Sequence, residues 1–226
     1  MRKRYAIIVA AGSGTRMGSR IPKQFLELAS KPILRHTIEP FLKMENPAQI
    51  ILVLSPEYKE WWKEYCRKEM FLPKYHLPSG GFTRFHSVKN ALDHVPDGAL
   101  VAIHDGVRPF VTPDFLEELF QKAEKLKAVV PACKPVESIR EVSDDRSFIL
   151  KRDNIRLIQT PQVFHSELVK AAYSQPFNED FTDDASVVEY YGETIHLVEG
   201  IRSNIKITTS EDMVIANALL AMRDSE

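Results

Sequence analysis

Ala10-Ala11-Gly12-Ser13-Gly14-Thr15-Arg16-Met17-Gly18 follows a short apolar run, and Pro22-Lys23-Gln24-Phe25 comes soon after it. Glycines in such a loop let backbone N–H groups approach phosphate oxygens without side-chain obstruction. Arg16 and Lys23 add a forked guanidinium and a flexible ammonium, two cations suited to a phosphorus that gains negative charge as it is attacked. The spacing excludes two common phosphate loops, because no Gly-Lys-Ser/Thr follows and the glycines do not form G-x-G-x-x-G. A dinucleotide reading also lacks its acidic partner, since the next strand ends in Leu54-Ser55-Pro56.

Further clusters carry compatible chemistry. Gly80-Gly81-Phe82-Thr83-Arg84-Phe85-His86-Ser87 is a second glycine turn opening a helix, where a small polar base edge can meet backbone groups; His86 reads as a helix-surface residue. Asp105, in His104-Asp105-Gly106-Val107-Arg108-Pro109, stands at the C-terminal edge of the most apolar strand. A carboxylate there, facing a triphosphate, suits Mg²⁺ or another hard divalent cation. Ser138 and Arg152 lie on the two sides of a candidate hairpin, and an arginine fork suits a phosphomonoester. Thr160-Pro161-Gln162 follows, and Lys206 lies in Ser203-Asn204-Ile205-Lys206-Ile207-Thr208-Thr209. Each cluster by itself also fits a plainer role as a capped turn, a structural turn or exposed loop polars. The pair Asp183-Asp184 reads mainly as a helix start.

The elements that must position these residues alternate. Tyr5–Ala10, Ile50–Leu54, Leu100–His104 and Val129–Ala132 read as buried strands. One helix starts at Pro32 and gathers Leu34, Ile38, Phe41 and Leu42 on one face; another follows Thr112-Pro113 with Leu116, Leu119, Phe120 and Ala123. This repetition predicts an α/β fold with a parallel sheet covered on both faces. Val136–Leu150, polar and punctuated by Asp144-Asp145, predicts a hairpin arm leaving the sheet. With little core of its own, the arm is expected to pack on a second subunit. The chain then returns through Ile155–Gln159, helices near Ser166–Ser174 and Asp184–Tyr191, strands Ile195–Val198 and Ile205–Thr208, and a last helix Glu211–Met222. With no linker or repeat, residues 1–226 read as a single domain with a dimerisation arm at about 136–151.

Composition narrows the class. The 30 Lys+Arg against 31 Asp+Glu give a net charge of -1, against bulk attraction to nucleic acid or anionic lipid. No apolar run approaches the roughly 20 residues of a spanning helix, and the basic N-terminus reads as a strand entering a loop, not as a signal peptide. Cys66 and Cys133 show no metal-ligand or redox spacing. Two packed thiols in a cytoplasmic protein is the expectation.

Together, Ala-Ala-Gly-Ser-Gly-Thr-Arg-Met-Gly and Pro-Lys-Gln-Phe resemble the signature of nucleotidyltransferases that join a sugar or polyol phosphate to a nucleoside triphosphate. Within these, the chain is most similar to the 2-C-methyl-D-erythritol 4-phosphate cytidylyltransferase family; the paired alanines fit it better than its ribitol 5-phosphate relatives. The resemblance spans about Ala6 to Ala216. It implies a Rossmann-like, mostly parallel twisted sheet of the nucleotide-diphospho-sugar transferase type, working as a homodimer.

For the site, the resemblance implies that Arg16 and Lys23 are catalytic. Ala10, Ala11, Gly12, Ser13, Gly14, Gly80, Gly81, Arg84, Ser87, Asp105 and Gly106 would bind CTP, with Asp105 also serving Mg²⁺. Arg108, Ser138, Arg152, Thr160 and Lys206 would hold the acceptor, Ser138 and Arg152 in the neighbouring subunit's site. The chain departs from the family pattern at Gly106-Val107, where two alanines are usual, at Glu137 and Ser138, where aspartate and threonine are frequent, and at Ser203, commonly acidic in relatives. The rival readings are a ribitol 5-phosphate cytidylyltransferase and a nucleotide-binding module without catalysis.

Overall fold

The computed structural model describes residues 2–12 and 21–223, so Ser13, Gly14 and Arg16 lie outside the described residues. In chain order, β1 (Arg4–Ala10) precedes the short pair β2 (Glu27–Leu28) and β3 (Lys31–Pro32), then α1 (Ile33–Leu42), β4 (Gln49–Leu54), α2 (Pro56–Lys68) and β5 (Tyr75–His76). Next come α3 (Arg84–Leu92), β6 (Leu100–Asp105), α4 (Pro113–Leu126), β7 (Ala128–Cys133) and the hairpin strands β8 (Ile139–Ser143) and β9 (Arg146–Leu150). The chain closes through β10 (Leu157–Ile158), β11 (Gln162–His165), α5 (Ser166–Tyr173), α6 (Asp184–Tyr190), β12 (His196–Glu199) and α7 (Ser210–Arg223).

Side chains alternate across the strands, and each face acquires its own core. Ala6, Ile8 and Ala10 of β1 pack with Leu34, Ile38 and Phe41 of α1, Trp62 and Cys66 of α2, and Leu116, Leu119 and Phe120 of α4. Tyr5 and Ile7 face the other way, toward Val88 and Leu92 of α3, Val169 and Tyr173 of α5, and Val187 and Val188 of α6. Both cysteines are buried and free. Local chemistry sets the helix starts. Thr112 accepts a hydrogen bond from the Phe115 amide at 3.2 Å ahead of α4. Asp183 and Ser186 cap each other reciprocally at the start of α6.

The main sheet runs β10-β7-β11-β6-β1-β4-β5, with β12 also on β7. Strands β6, β1, β4 and β5 are parallel, as expected. Strand β11 departs from the simple alternation: it lies antiparallel between β6 and β7, because the chain comes back from the arm toward the sheet in the opposite sense. The arm itself is present as β8–β9, turning at Asp144-Asp145. Two expectations change, while helix α2 fills a stretch of the alternation for which no bounds were given. Ile155–Gln159 contracts to β10. Ile205–Thr208 forms no strand; a bond from the Ile207 amide to the Val107 carbonyl at 3.0 Å ties it down instead.

Candidate active site

In register, Ala10 of β1 pairs with Leu54 of β4, and Val9 pairs with Asp105 of β6. The carboxyl ends of the three central strands therefore lie side by side, the edge where open α/β sheets bind ligands. Each strand sends its loop into the same space. The Gly106 amide donates to the Val9 carbonyl at 2.9 Å, and the Gly80 amide to the Leu54 carbonyl at 3.0 Å. These contacts explain the small residues. A Cβ on Gly106 would fall 2.7 Å from the Ala10 Cβ, and one on Gly80 would fall 2.4 Å from the Ala11 Cβ.

A cavity of about 530 Å³ opens at this edge. Ala10, Ala11, Gly12, Lys23, Gly81, Arg84, Ser87, Asp105 and Lys206 all line it, with Gln24, Phe82 and Thr83. Gln24 is a residue whose role sequence reasoning missed. It is buried, and its amide nitrogen donates to the carbonyls of Ala10 at 2.7 Å and Gly12 at 3.2 Å, holding the end of β1 where it leads into the first glycine motif. Ser87 accepts from the Gly81 amide at 3.0 Å, which leaves its hydroxyl proton to be given elsewhere.

A second cavity of about 270 Å³ adjoins the first. Its lining includes Arg108, Gln159, Thr160, Gln162 and Asp183, and it shares Arg84, Asp105 and Lys206 with the larger one. The shared wall is a charge cluster. Lys206 Nζ stands 2.8 Å from one Asp105 oxygen, and Arg84 and Arg108 each approach the carboxylate to 3.5 Å. Burial alone would raise the Asp105 carboxyl, but Arg84, Lys206 and Arg108 hold it well below the usual carboxylate range. It is ionised at neutral pH.

Beneath the cluster, one hydrogen-bond sequence fixes the strand end. The Asp105 amide donates to Thr160 Oγ1 at 3.1 Å. Neutral His104 completes it, with Nδ1 accepting from the Thr160 hydroxyl at 2.9 Å and Nε2 donating to the Arg108 carbonyl at 3.0 Å. That tautomer satisfies every partner, and burial pushes the imidazole down to about 4. Thr160 is thus a buried brace with its hydroxyl engaged. The Asp183-Asp184 pair divides its work. Asp183 caps α6 as expected, whereas Asp184 is wholly buried and pairs with Arg84.

Ser138 and Arg152 line neither cavity. Arg152 Nη1 donates to the Val136 carbonyl at 2.5 Å, closing the base of the arm. For a divalent cation, the described residues contain no group of three or more His, Cys, Asp or Glu. An ion at ionised Asp105 would draw its remaining ligands from phosphate oxygens and water. That donor set fits Mg²⁺, which usually binds one or two carboxylates together with substrate phosphates.

A family model for 2-C-methyl-D-erythritol 4-phosphate cytidylyltransferase matches residues 5–222. The chain belongs to this family. A relative of that name from Bacteroides thetaiotaomicron is 50% identical over 218 residues, spanning 96% of this chain and 100% of the relative. Another of that name, from Bacteroides fragilis, is 49% identical over 217 residues, 96% of this chain and 99% of its own. Among solved structures, the 4-diphosphocytidyl-2C-methyl-D-erythritol synthase of Anaerococcus prevotii superposes with a TM-score of 0.83 at 32% identity, covering 97% of this chain and 99% of that one. The family's mostly parallel α/β sheet is the fold described above.

Proposed function

We propose that this protein transfers the cytidylyl group of CTP to 2-C-methyl-D-erythritol 4-phosphate, releasing pyrophosphate and forming 4-diphosphocytidyl-2-C-methyl-D-erythritol for non-mevalonate isoprenoid synthesis. Beyond family membership, the observation that carries this reading is the pair of adjoining cavities with Arg84, Asp105 and Lys206 in their common wall. Two phosphate-bearing substrates held on either side of that wall would meet beside it.

The larger cavity takes CTP, with its triphosphate along the Gly12 loop and Lys23 and its base toward Gly80, Gly81 and Ser87. The smaller takes the acceptor. One acceptor phosphate oxygen attacks the α-phosphorus, a new P–O bond forms, and the bond to the pyrophosphate oxygen breaks. The attacking phosphate is already ionised at neutral pH, so the step needs no general base. The protein's task is alignment and charge stabilisation. Lys23 and Lys206 bring ammonium groups to the reacting phosphates, and Arg108 stiffens the wall through its bond to the Asn204 carbonyl at 2.9 Å. Arg16, outside the described residues, takes the catalytic role its place in the loop motif implies. Asp105 and the triphosphate would hold Mg²⁺, which neutralises phosphate charge and orients the leaving pyrophosphate when bound.

The arm completes the acceptor site in a second copy of the chain, bringing Ser138 and Arg152 to it. Support comes from the exposed apolar side chains Val142, Phe148 and Ile149 on an arm that buries little within its own chain. Among the described residues no helix is long and apolar enough to cross a membrane, and with two free buried thiols the protein is assigned to the cytoplasm.

Pyrophosphate release from CTP and Mg²⁺ tests the function, run with 2-C-methyl-D-erythritol 4-phosphate, with ribitol 5-phosphate and without acceptor. Release with the first alone is expected. Release with ribitol 5-phosphate alone would overturn the acceptor, and silence in all three would overturn the transferase reading.

A further inference from the structure

Phe82 is wholly exposed, at 101% of its reference area. Many apolar residues stand singly on protein surfaces without consequence, but this ring has a particular place. Among the described residues, it is the one exposed large apolar side chain that lines the larger cavity. Met70, Leu72 and Val214 are also strongly exposed, yet line neither cavity of the site. The backbone on both sides of Phe82 is anchored. The Gly81 amide is held by Ser87, and Thr83 caps α3 by accepting from the His86 amide. The His86 ring meets Phe82 edge-on, with centroids 6.4 Å apart and planes 86° apart. The arrangement supports the ring from its surroundings while leaving it broadly open to solvent.

We propose that Phe82 is the lid of the nucleoside end of this cavity, stacking on the pyrimidine ring of bound CTP. The inference rests on the reading of the larger cavity as the CTP site. Phe82 follows directly on Gly81, in the glycine turn that Ser87 holds, whereas Lys206 and Asp105 belong to the charged wall. A phenyl ring has no donor or acceptor with which to read a base. Its contribution is a flat apolar surface that covers the base while backbone groups and Ser87 engage its edge. Phe82 is therefore a positioning residue for the nucleoside, separate from the groups that act on phosphate.

Calorimetric titration of the full chain and of Phe82→Ala, with CTP and separately with inorganic tripolyphosphate, tests this. The substituted side chain is fully exposed, so the fold does not depend on it. Loss of a base–aromatic stack should weaken CTP binding by about tenfold or more in Phe82→Ala, with tripolyphosphate affinity unmoved. Phe82→Trp, which keeps an aromatic face, should bind CTP at least as tightly as the parent. Equal CTP affinity in parent and Phe82→Ala, or a parallel loss for CTP and tripolyphosphate, would overturn the lid while leaving the CTP site in place. A parent protein that binds no CTP would overturn the reading of the cavity itself, and the lid with it.

Discussion

The carboxylate of Asp184, without exposed surface, receives both terminal nitrogens of Arg84 at 2.8 and 2.6 Å. The Tyr173 hydroxyl donates to the same carboxylate at 2.6 Å. This fork holds Arg84 where its third nitrogen can approach Asp105, so a residue of α6 sets the position of a side chain in the wall between the two cavities. Removing one member of a buried pair leaves the other charge uncompensated, at a cost of about 3–5 kcal/mol. Asp184→Ala should lose stability on that scale in urea unfolding, and turnover with it. A loss below about 1 kcal/mol, the range of exposed pairs, would show that Arg84 has another anchor.

Lys23 lines the larger cavity beside the first glycine loop. Loss of one preorganised charge-stabilising donor typically lowers turnover by about a hundredfold or more. Lys23→Ala is expected to show that fall in kcat at saturating CTP, measured by pyrophosphate release. A change confined to the KM for CTP would reassign Lys23 to ground-state binding.

The pH dependence of folding follows from His104. Its folded-state value lies near 4, below the unfolded value of about 6.5. The unfolded chain therefore takes up a proton that the folded chain refuses, and stability falls as pH drops from about 6.5 toward 4. At about 1.4 kcal/mol per unit, the contribution is on the order of 3 kcal/mol. His36, also lowered by burial, acts with the same sign. Urea unfolding at pH 7 and pH 5 should show the fall, and His104→Gln should flatten it. A parent protein equally stable at both values would contradict the neutral, buried imidazole.

Gly80→Ala places a methyl group 2.4 Å from the Ala11 Cβ. One of the two loops must move. Overpacking of this kind costs about 1–3 kcal/mol, and because both loops line the larger cavity, CTP affinity should fall together with the melting temperature. Unchanged CTP binding would mean that the loops can separate without deforming the site.

If the arm seats against a second copy, Val142 and Ile149, exposed on one face of the hairpin, lie at that contact. Light scattering should give twice the monomer mass for the parent and the monomer mass for Val142→Glu combined with Ile149→Glu. A parent that runs as a monomer with full activity would refute the shared acceptor site.

Much of this molecule is legible in its sequence, because strand and helix periodicities report burial directly. Tyr5–Ala10 and Leu116–Ala123 declare their buried faces, and Asp144-Asp145 declares the hairpin turn. What escapes is decided by partners distant along the chain. Gln162 and His165 read as polar, yet β11 is buried because Asp183 accepts from Gln162 at 2.7 Å and the Ala123 carbonyl meets the His165 ring at 3.0 Å. Helix α2 buries only Trp62 and Cys66, too few to stand out among its charges. Ile205–Thr208 has the alternation of a strand but pairs with no strand among the described residues. In the site, glycines and cations announce themselves by type. The bracing by Gln24, the Asp184–Arg84 fork and the Thr160–His104 relay depend on which loops the sheet brings together.

Strands β7 and β10, which run into and out of the arm, pair with each other at Leu157↔Cys133 and Ile158↔Ala132. That clamp isolates the excursion mechanically. A change at the arm's tip would strain the arm's own contacts first, because the point at which the chain re-enters the sheet, with Thr160 beneath Asp105, is held by this separate pairing. The protrusion and the carboxylate are built to separate tolerances.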